Sequence, residues 1–143
     1  MIAPTRTRVD RLETIVRILA AVLAAALLVR GLGYIGPAAP HPVPDSLSPL
    51  EGLFPLPVWS IACFSIVLML IVGIIWKRSV YVVGLIVYSM INGAWIMSYF
   101  TAWIFGISER SYITAANYCP ELALAIALLV IGPPWPIARK REP

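Results

Sequence analysis

Four long apolar stretches, separated by short polar segments, constrain this chain more than any other feature. A helix needs about 20 apolar residues to cross the hydrocarbon core of a bilayer, and the stretches at 15–36, 57–76, 79–105 and 111–132 are each long enough. Only 13% of the residues are charged, whereas a soluble domain carries about 25%. The sequence therefore predicts an all-α integral membrane protein, a four-transmembrane-helix bundle forming one domain over residues 1–143.

The basic residues cluster beside these stretches. Three arginines lie within residues 6–11, Lys77 and Arg78 separate the second and third stretches, and three basic residues lie in the C-terminal tail, 133–143. The other connections contain only Arg110. Because positively charged loops stay on the cytoplasmic side, we expect a multi-pass protein of the cytoplasmic (inner) membrane with both termini in the cytoplasm. This placement favours the lipid bilayer, not nucleic acid, as the partner of the positive charge.

The first stretch has a competing interpretation as a signal peptide, since a basic start and a short apolar core fit one. No convincing Ala-x-Ala cleavage site precedes residue 37. We therefore interpret this stretch as a membrane anchor.

A proline-rich segment, residues 37–56, is predicted to connect the first two spans on the outer side. It contains six prolines and no Lys or Arg. Within it, a Ser is followed by Pro and then, at the third helical position, by Glu, an order typical of a helix start. We expect a short helix on the outer membrane surface, which a membrane or surface protein could contact through Ser48, Pro49, Leu50, Glu51 and Phe54.

Two charged residues, Arg30 and Glu121, lie deep inside the apolar stretches, where a charge is costly and marks a structural or functional need. Helical side chains lean toward the N-terminus of their helix. In antiparallel spans the two would lean toward a common depth, so an ion pair between them is geometrically allowed. The sequence leaves alternatives open: Arg30 extending to the headgroups, and Glu121 as a protonated, hydrogen-bonded structural residue.

Polar and aromatic residues recur at helical spacing in the third and fourth spans. Such stripes lie on one helix face and turn toward other helices or water. The favoured interpretation is packing between helices, and the alternative is the lining of a pore or ligand groove. The third-span stripe is Tyr88, Asn92, Trp95, Tyr99 and Trp103, and the fourth-span stripe is Thr114, Asn117 and Glu121.

The fourth span also carries small residues spaced by four: Ala115, Cys119, Ala123 and Ala127. Small residues let helix backbones approach closely in a membrane. We therefore expect this span at the bundle centre or at the seam of a homo-oligomer. For Cys63 and Cys119, packed free thiols are favoured over a disulfide, which stays open.

The sequence contains no recognisable nucleophile–base pair, metal-ligand spacing, phosphate-binding loop or dinucleotide motif. We therefore expect a protein that is not an enzyme and that uses no cofactor or metal.

Over residues 46–141 the order of features resembles small four-span membrane proteins of actinobacterial phages, some of which are holins. The resemblance rests on Pro-Leu-Pro-Val-Trp at 55–59, on the segment from Gly73 to Arg78, on Gly84 and on the basic tail. It implies a holin-like protein that self-associates and permeabilises the cytoplasmic membrane.

Two alternatives to the holin-like interpretation remain open. The proline-rich segment 37–56 is longer than a lesion requires, and it suits a non-enzymatic membrane partner or a superinfection-exclusion protein. Glu121 resembles the single buried Glu of small multidrug-resistance transporters, which also have four spans and export by proton coupling. Those proteins have that Glu in the first span, however, whereas Glu121 is in the last.

Overall fold

The computed structural model describes residues 6–35 and 54–132, and it contains helices and turns but no strand within those ranges. Each of its helices is long and apolar enough to cross a membrane, which confirms the prediction of a bundle of four apolar helices. In chain order the helices are α1 (Arg6–Leu32), α2 (Leu56–Ile75), α3 (Arg78–Ile104) and α4 (Ser111–Ile131).

The helix bounds of α2, α3 and α4 lie within one residue of the predicted spans. The sequence also predicts that the polar N-terminal segment is helical and runs straight into the first span, so the first helix differs from the prediction only at its end. It starts at Arg6, so the polar N-terminal segment continues directly into the span, and an ion pair between Glu13 and Arg17 at 2.5 Å lies on its exposed side. It ends at Leu32, before the predicted end at residue 36, because glycine at position 33 disfavours helix and the chain turns there.

Most of the proline-rich segment lies outside the described residues. The predicted surface helix and its contact residues Ser48, Pro49, Leu50 and Glu51 therefore stay predictions. Phe54 is described: it is exposed, and its ring contacts that of Trp59 edge-on at 6.0 Å.

Helices that follow one another in the chain pack extensively against each other, as α1 with α2, α2 with α3 and α3 with α4. The first and last helices touch far less. We call this weakly packed boundary the α1–α4 seam. Three of the boundaries between neighbouring helices are therefore closely packed, and the α1–α4 seam is loosely packed.

The crossing of α2 and α3 depends on Gly73. A Cβ atom at this position would lie 2.5 Å from the Cα atom of Tyr81 and 2.6 Å from its backbone nitrogen. These are backbone atoms, which cannot rotate away. The absence of a side chain at Gly73 is therefore what allows the two helices to touch next to their tight turn.

A hydrogen bond near the C-terminal end of α1 fixes the contact between α1 and α2. The buried Ser60 hydroxyl donates to the carbonyl oxygen of Gly31 at 2.6 Å. A Cβ atom on Gly31 would lie 3.1 Å from the Cβ atom of Cys63, so the helices also approach closely here.

The buried residues form two clusters at different depths. Near the end where α1 begins, the core is mainly aliphatic and includes Leu23, Leu27 and Leu70. Near the other end it is mainly aromatic, around Tyr34 and Trp95. The polar network described below lies between the two clusters.

The α3–α4 hairpin continues past the end of α1. Trp95 stacks against Tyr34, just beyond that end, and α3 runs on to Ile104, about 13 Å further along its axis. Since α1 does not extend to cover it, this part of the hairpin turns apolar side chains outward. The exposed ones include Phe100, Trp103, Phe105, Ile107 and Tyr112.

Candidate functional site

An ion pair crosses the α1–α4 seam inside the bundle. The Arg30 Nη2 atom donates to Glu121 Oε2 at 2.8 Å, and the two side chains are 11% and 27% exposed. Of the alternatives that the sequence left open, the structure therefore shows the pair: Arg30 does not extend to the headgroups. The pair joins α1 and α4, the two neighbouring helices of the bundle whose mutual packing is weakest.

The third helix supports both partners of the ion pair. The Tyr88 hydroxyl donates to Glu121 Oε2 at 2.8 Å, and Arg30 Nη1 donates to Asn92 Oδ1 at 2.9 Å. The amide of Asn92 in turn donates to the carbonyl oxygen of Tyr88, one helical turn earlier, at 3.1 Å. We call Arg30, Tyr88, Asn92 and Glu121 the Arg30 network. It connects three of the four helices.

The Arg30 guanidinium also lies over an aromatic ring. Its Cζ atom is 4.1 Å from the ring centroid of Tyr118, a distance at which a cation is attracted to the face of the ring. The ring of Tyr118 stacks on that of Tyr99 at 5.7 Å. The sequence argument missed Tyr118, although its spacing of three residues from Glu121 places both on one helix face.

Aromatic side chains pack tightly between the Arg30 network and the C-terminal end of α1. Trp95 is fully buried, and its ring contacts those of Tyr34, Trp59 and Tyr99 at centroid distances of 5.4–5.9 Å. This layer separates the Arg30 network from the end of the bundle at which α1 stops.

Four of the five residues of the third-span stripe pack between helices, the position that the favoured interpretation gives them. Tyr88, Asn92 and Tyr99 are all buried. Trp103 is the exception: it is half-exposed on the hairpin beyond α1. Within the described residues the buried part of this stripe therefore belongs to the core of the bundle.

Of the two positions expected for the fourth span, the structure does not show the bundle centre, and the seam of a homo-oligomer stays a prediction. Ala115 is buried, but Cys119, Ala123 and Ala127 are exposed, and so is Asn117. The physical reason is that α4 packs extensively on α3 alone among the described helices, so within residues 6–35 and 54–132 the side of α4 opposite α3 has no neighbouring helix. We call Cys119, Ala123 and Ala127 the α4 small-residue face.

The two cysteines are free, and they lie in different environments. Cys63 is buried between α1 and α2, as expected of a packed thiol. Cys119 is exposed and donates to the carbonyl oxygen of Ala115 at 3.4 Å. The alternative of a disulfide between them is therefore not what the structure shows.

The chemistry available to the Arg30 network follows from its charges. A single charge in the membrane interior is costly, and it becomes tolerable when an opposite charge and hydrogen bonds surround it. Arg30 and Glu121 supply the opposite charges, and Tyr88 and Asn92 supply the hydrogen bonds. The network can hold α1, α3 and α4 together, and its separation would leave two unpaired charges in the bilayer.

The described residues contain no group of three or more His, Cys, Asp or Glu side chains placed to hold a metal ion. They combine one charged network inside the bundle with one small-residue face outside it. The chain matches no protein-family model, no curated protein and no solved structure.

Proposed function

We propose that the chain is a holin-like membrane protein, which self-associates in the cytoplasmic membrane and permeabilises it without enzymatic activity or a cofactor. The observation that carries this proposal is the placement of α4. Its small-residue face is exposed, and its contact with α1 is slight apart from the ion pair to Arg30. Small residues that face lipid allow the same helix of a second copy to approach closely.

The polar side chains of α4 suggest how an opening would be lined. Glu121 lies at the α1–α4 seam and Asn117 is exposed one helical turn away. Polar side chains within a membrane are stable against other polar groups or water. When α4 separates from α1, these two side chains would line a water-filled gap between copies. Before α4 separates from α1, the Arg30–Glu121 pair would hold the closed state.

The proposed orientation places both termini in the cytoplasm. The start of α1, the α2–α3 turn and the end of α4 lie at one end of the antiparallel bundle. Lys77 and Arg78 are exposed in that turn, and Arg17 is exposed in the first half of α1. The positive-inside rule supports assigning this end to the cytoplasm.

A proton-coupled transporter is the second candidate, and the partial exposure of Glu121 at the seam favours it. Against it, the carboxylate already has Arg30 as a counter-ion and Tyr88 as a donor. These contacts support a structural role for Glu121. A partner or superinfection-exclusion protein acting through residues 37–56 remains a further proposal, of which only residues 54–56 are described.

Membrane potential after induced expression in a bacterial host tests the holin-like proposal. We expect an abrupt loss of potential, read by a potential-sensitive dye, once the wild-type protein accumulates. A variant with Ala123→Leu and Ala127→Leu should delay or abolish the loss, because the larger side chains keep the α4 helices apart. Ala94→Leu, at an exposed position of α3, is the matched control and should behave like wild type.

A steady potential in cells with abundant wild-type protein in the membrane would reject the proposal. Equal timing for the α4 variant and the Ala94 control would reject the role of the small-residue face.

A further inference from the structure

A groove between α1 and α2 opens on the outside of the bundle, toward the bilayer. It has a volume of about 350 Å³ and an almost entirely apolar lining. On the α1 side it is bounded by the alanines at 21, 24 and 25, whose small side chains create the recess. Ile71 and Ile75 form part of the opposite wall on α2.

The length of the groove matches the acyl-chain region of one leaflet. It runs from Ala21 to Leu28 along α1, which is about 10 Å at 1.5 Å per residue. One leaflet contributes about 15 Å to the hydrocarbon core. A single extended hydrocarbon chain lying along the bundle would therefore occupy the groove over most of one leaflet.

Positive charge lies at the end of the groove where α1 begins. Arg17 precedes Ala21 by four residues and Ala24 by seven, so it shares their helix face. Its side chain is 45% exposed and leans away from the groove, because helical side chains tilt toward the N-terminus. Next to Ile75, where α2 ends, the turn exposes Lys77 and Arg78. Arg17, Lys77 and Arg78 carry three positive charges, whereas Glu13, the ion-pair partner of Arg17, carries one negative charge.

We infer that this groove binds one acyl chain of an anionic phospholipid, with the lipid phosphate beside Arg17. The apolar recess fits the chain, and the excess of positive charge at its end favours an anionic headgroup over a zwitterionic one. The inference does not depend on the proposed membrane permeabilisation, because it concerns the α1–α2 side of the bundle and not the α1–α4 seam.

Native mass spectrometry of the purified protein tests this inference, with dioleoyl phosphatidylglycerol and dioleoyl phosphatidylcholine as the two probes. The wild-type protein should retain one phosphatidylglycerol molecule in preference to phosphatidylcholine. Arg17→Gln should weaken phosphatidylglycerol binding about five-fold, the effect of one basic residue near a membrane surface. Arg11→Gln removes an equal charge on another face of α1 and should leave the binding within about two-fold of wild type.

A second pair of variants tests the apolar part of the site. Ala21→Leu with Ala25→Leu fills the groove at two exposed positions, and should remove the retained lipid while thermal unfolding shows an intact bundle. Val22→Leu, exposed outside the groove, should retain it. Equal retention of both lipids by wild type, an unchanged lipid adduct in the filled variant, or a second copy of the chain in place of lipid would overturn the inference.

Discussion

Replacing Glu121 with Gln removes the negative charge opposite Arg30 but keeps an oxygen that can accept hydrogen bonds. The Arg30 side chain is only 11% exposed, so the variant leaves a nearly buried cation without its counter-ion. Two unit charges about 4 Å apart attract by about 4 kcal/mol at an effective dielectric constant of about 20. The retained amide contact and the partial exposure of Glu121 reduce this loss, and we expect Glu121→Gln to cost about 2–3 kcal/mol.

A double-mutant cycle separates the pair energy from other effects of each substitution. Arg30→Gln should cost a similar amount, because it leaves Glu121 unpaired. The double variant places two neutral amides opposite each other, and should cost less than the sum of the single variants. We expect a coupling energy of about 1.5–3 kcal/mol, above the average of about 0.6 kcal/mol for neutral hydrogen bonds between membrane helices.

The assay is reversible unfolding of the purified protein in mixed micelles, followed by the fluorescence of its five tryptophans. The matched control is the same cycle on Glu13 and Arg17, an exposed i,i+4 pair, whose coupling should be about 0.3–0.5 kcal/mol. If the cost of the double variant equals the sum of the Arg30→Gln and Glu121→Gln costs to within about 0.5 kcal/mol, the two side chains are not coupled. The pair would then not hold α1 to α4.

Three further predictions concern helix contacts, and the same unfolding assay measures each of them. Gly73→Ala should destabilise the bundle by about 1–3 kcal/mol, because the new methyl group meets the backbone of Tyr81. The control Gly93→Ala, where a new Cβ atom would have nothing within 4 Å, should be neutral or stabilising. Equal losses of stability for the two variants would contradict the close α2–α3 approach. Tyr88→Phe should cost about 1 kcal/mol by removing the donor to Glu121, and an unchanged stability would show that this bond contributes nothing. Ser60→Ala should cost about 1 kcal/mol through its buried bond to α1, and a loss no larger than that of the exposed Ser65→Ala would exclude such a contribution.

The four spans could be predicted from the sequence because apolar length and flanking charge act locally. The turn at Lys77 shows this, since two basic residues between apolar stretches place the α2–α3 connection without knowledge of packing. The end of α1 could not be placed as well. Hydropathy continues beyond Leu32, whereas the helix stops where Gly33 lowers its stability.

The candidate site could be predicted only in part, because its geometry depends on the rotation of each helix about its own axis. The opposed lean of Arg30 and Glu121 made their pairing geometrically allowed. Tyr118 was missed because its ring reaches Arg30 only when α4 faces α1 at one particular angle. The spacing of Ala123 and Ala127 likewise shows that one face of α4 is small, but not whether α3, lipid or another copy covers it.

We expect the small-residue faces of α4 to meet between copies of the chain, and thiol crosslinking in isolated membranes measures this contact. Cys119 lies on that face and is exposed, whereas Cys63 is buried within the chain. With a short bismaleimide, the Cys63→Ser variant should give a covalent dimer through Cys119, and the Cys119→Ser variant should remain a monomer. If both variants remain monomers although a monofunctional maleimide labels Cys119, the small-residue faces of α4 do not meet between copies.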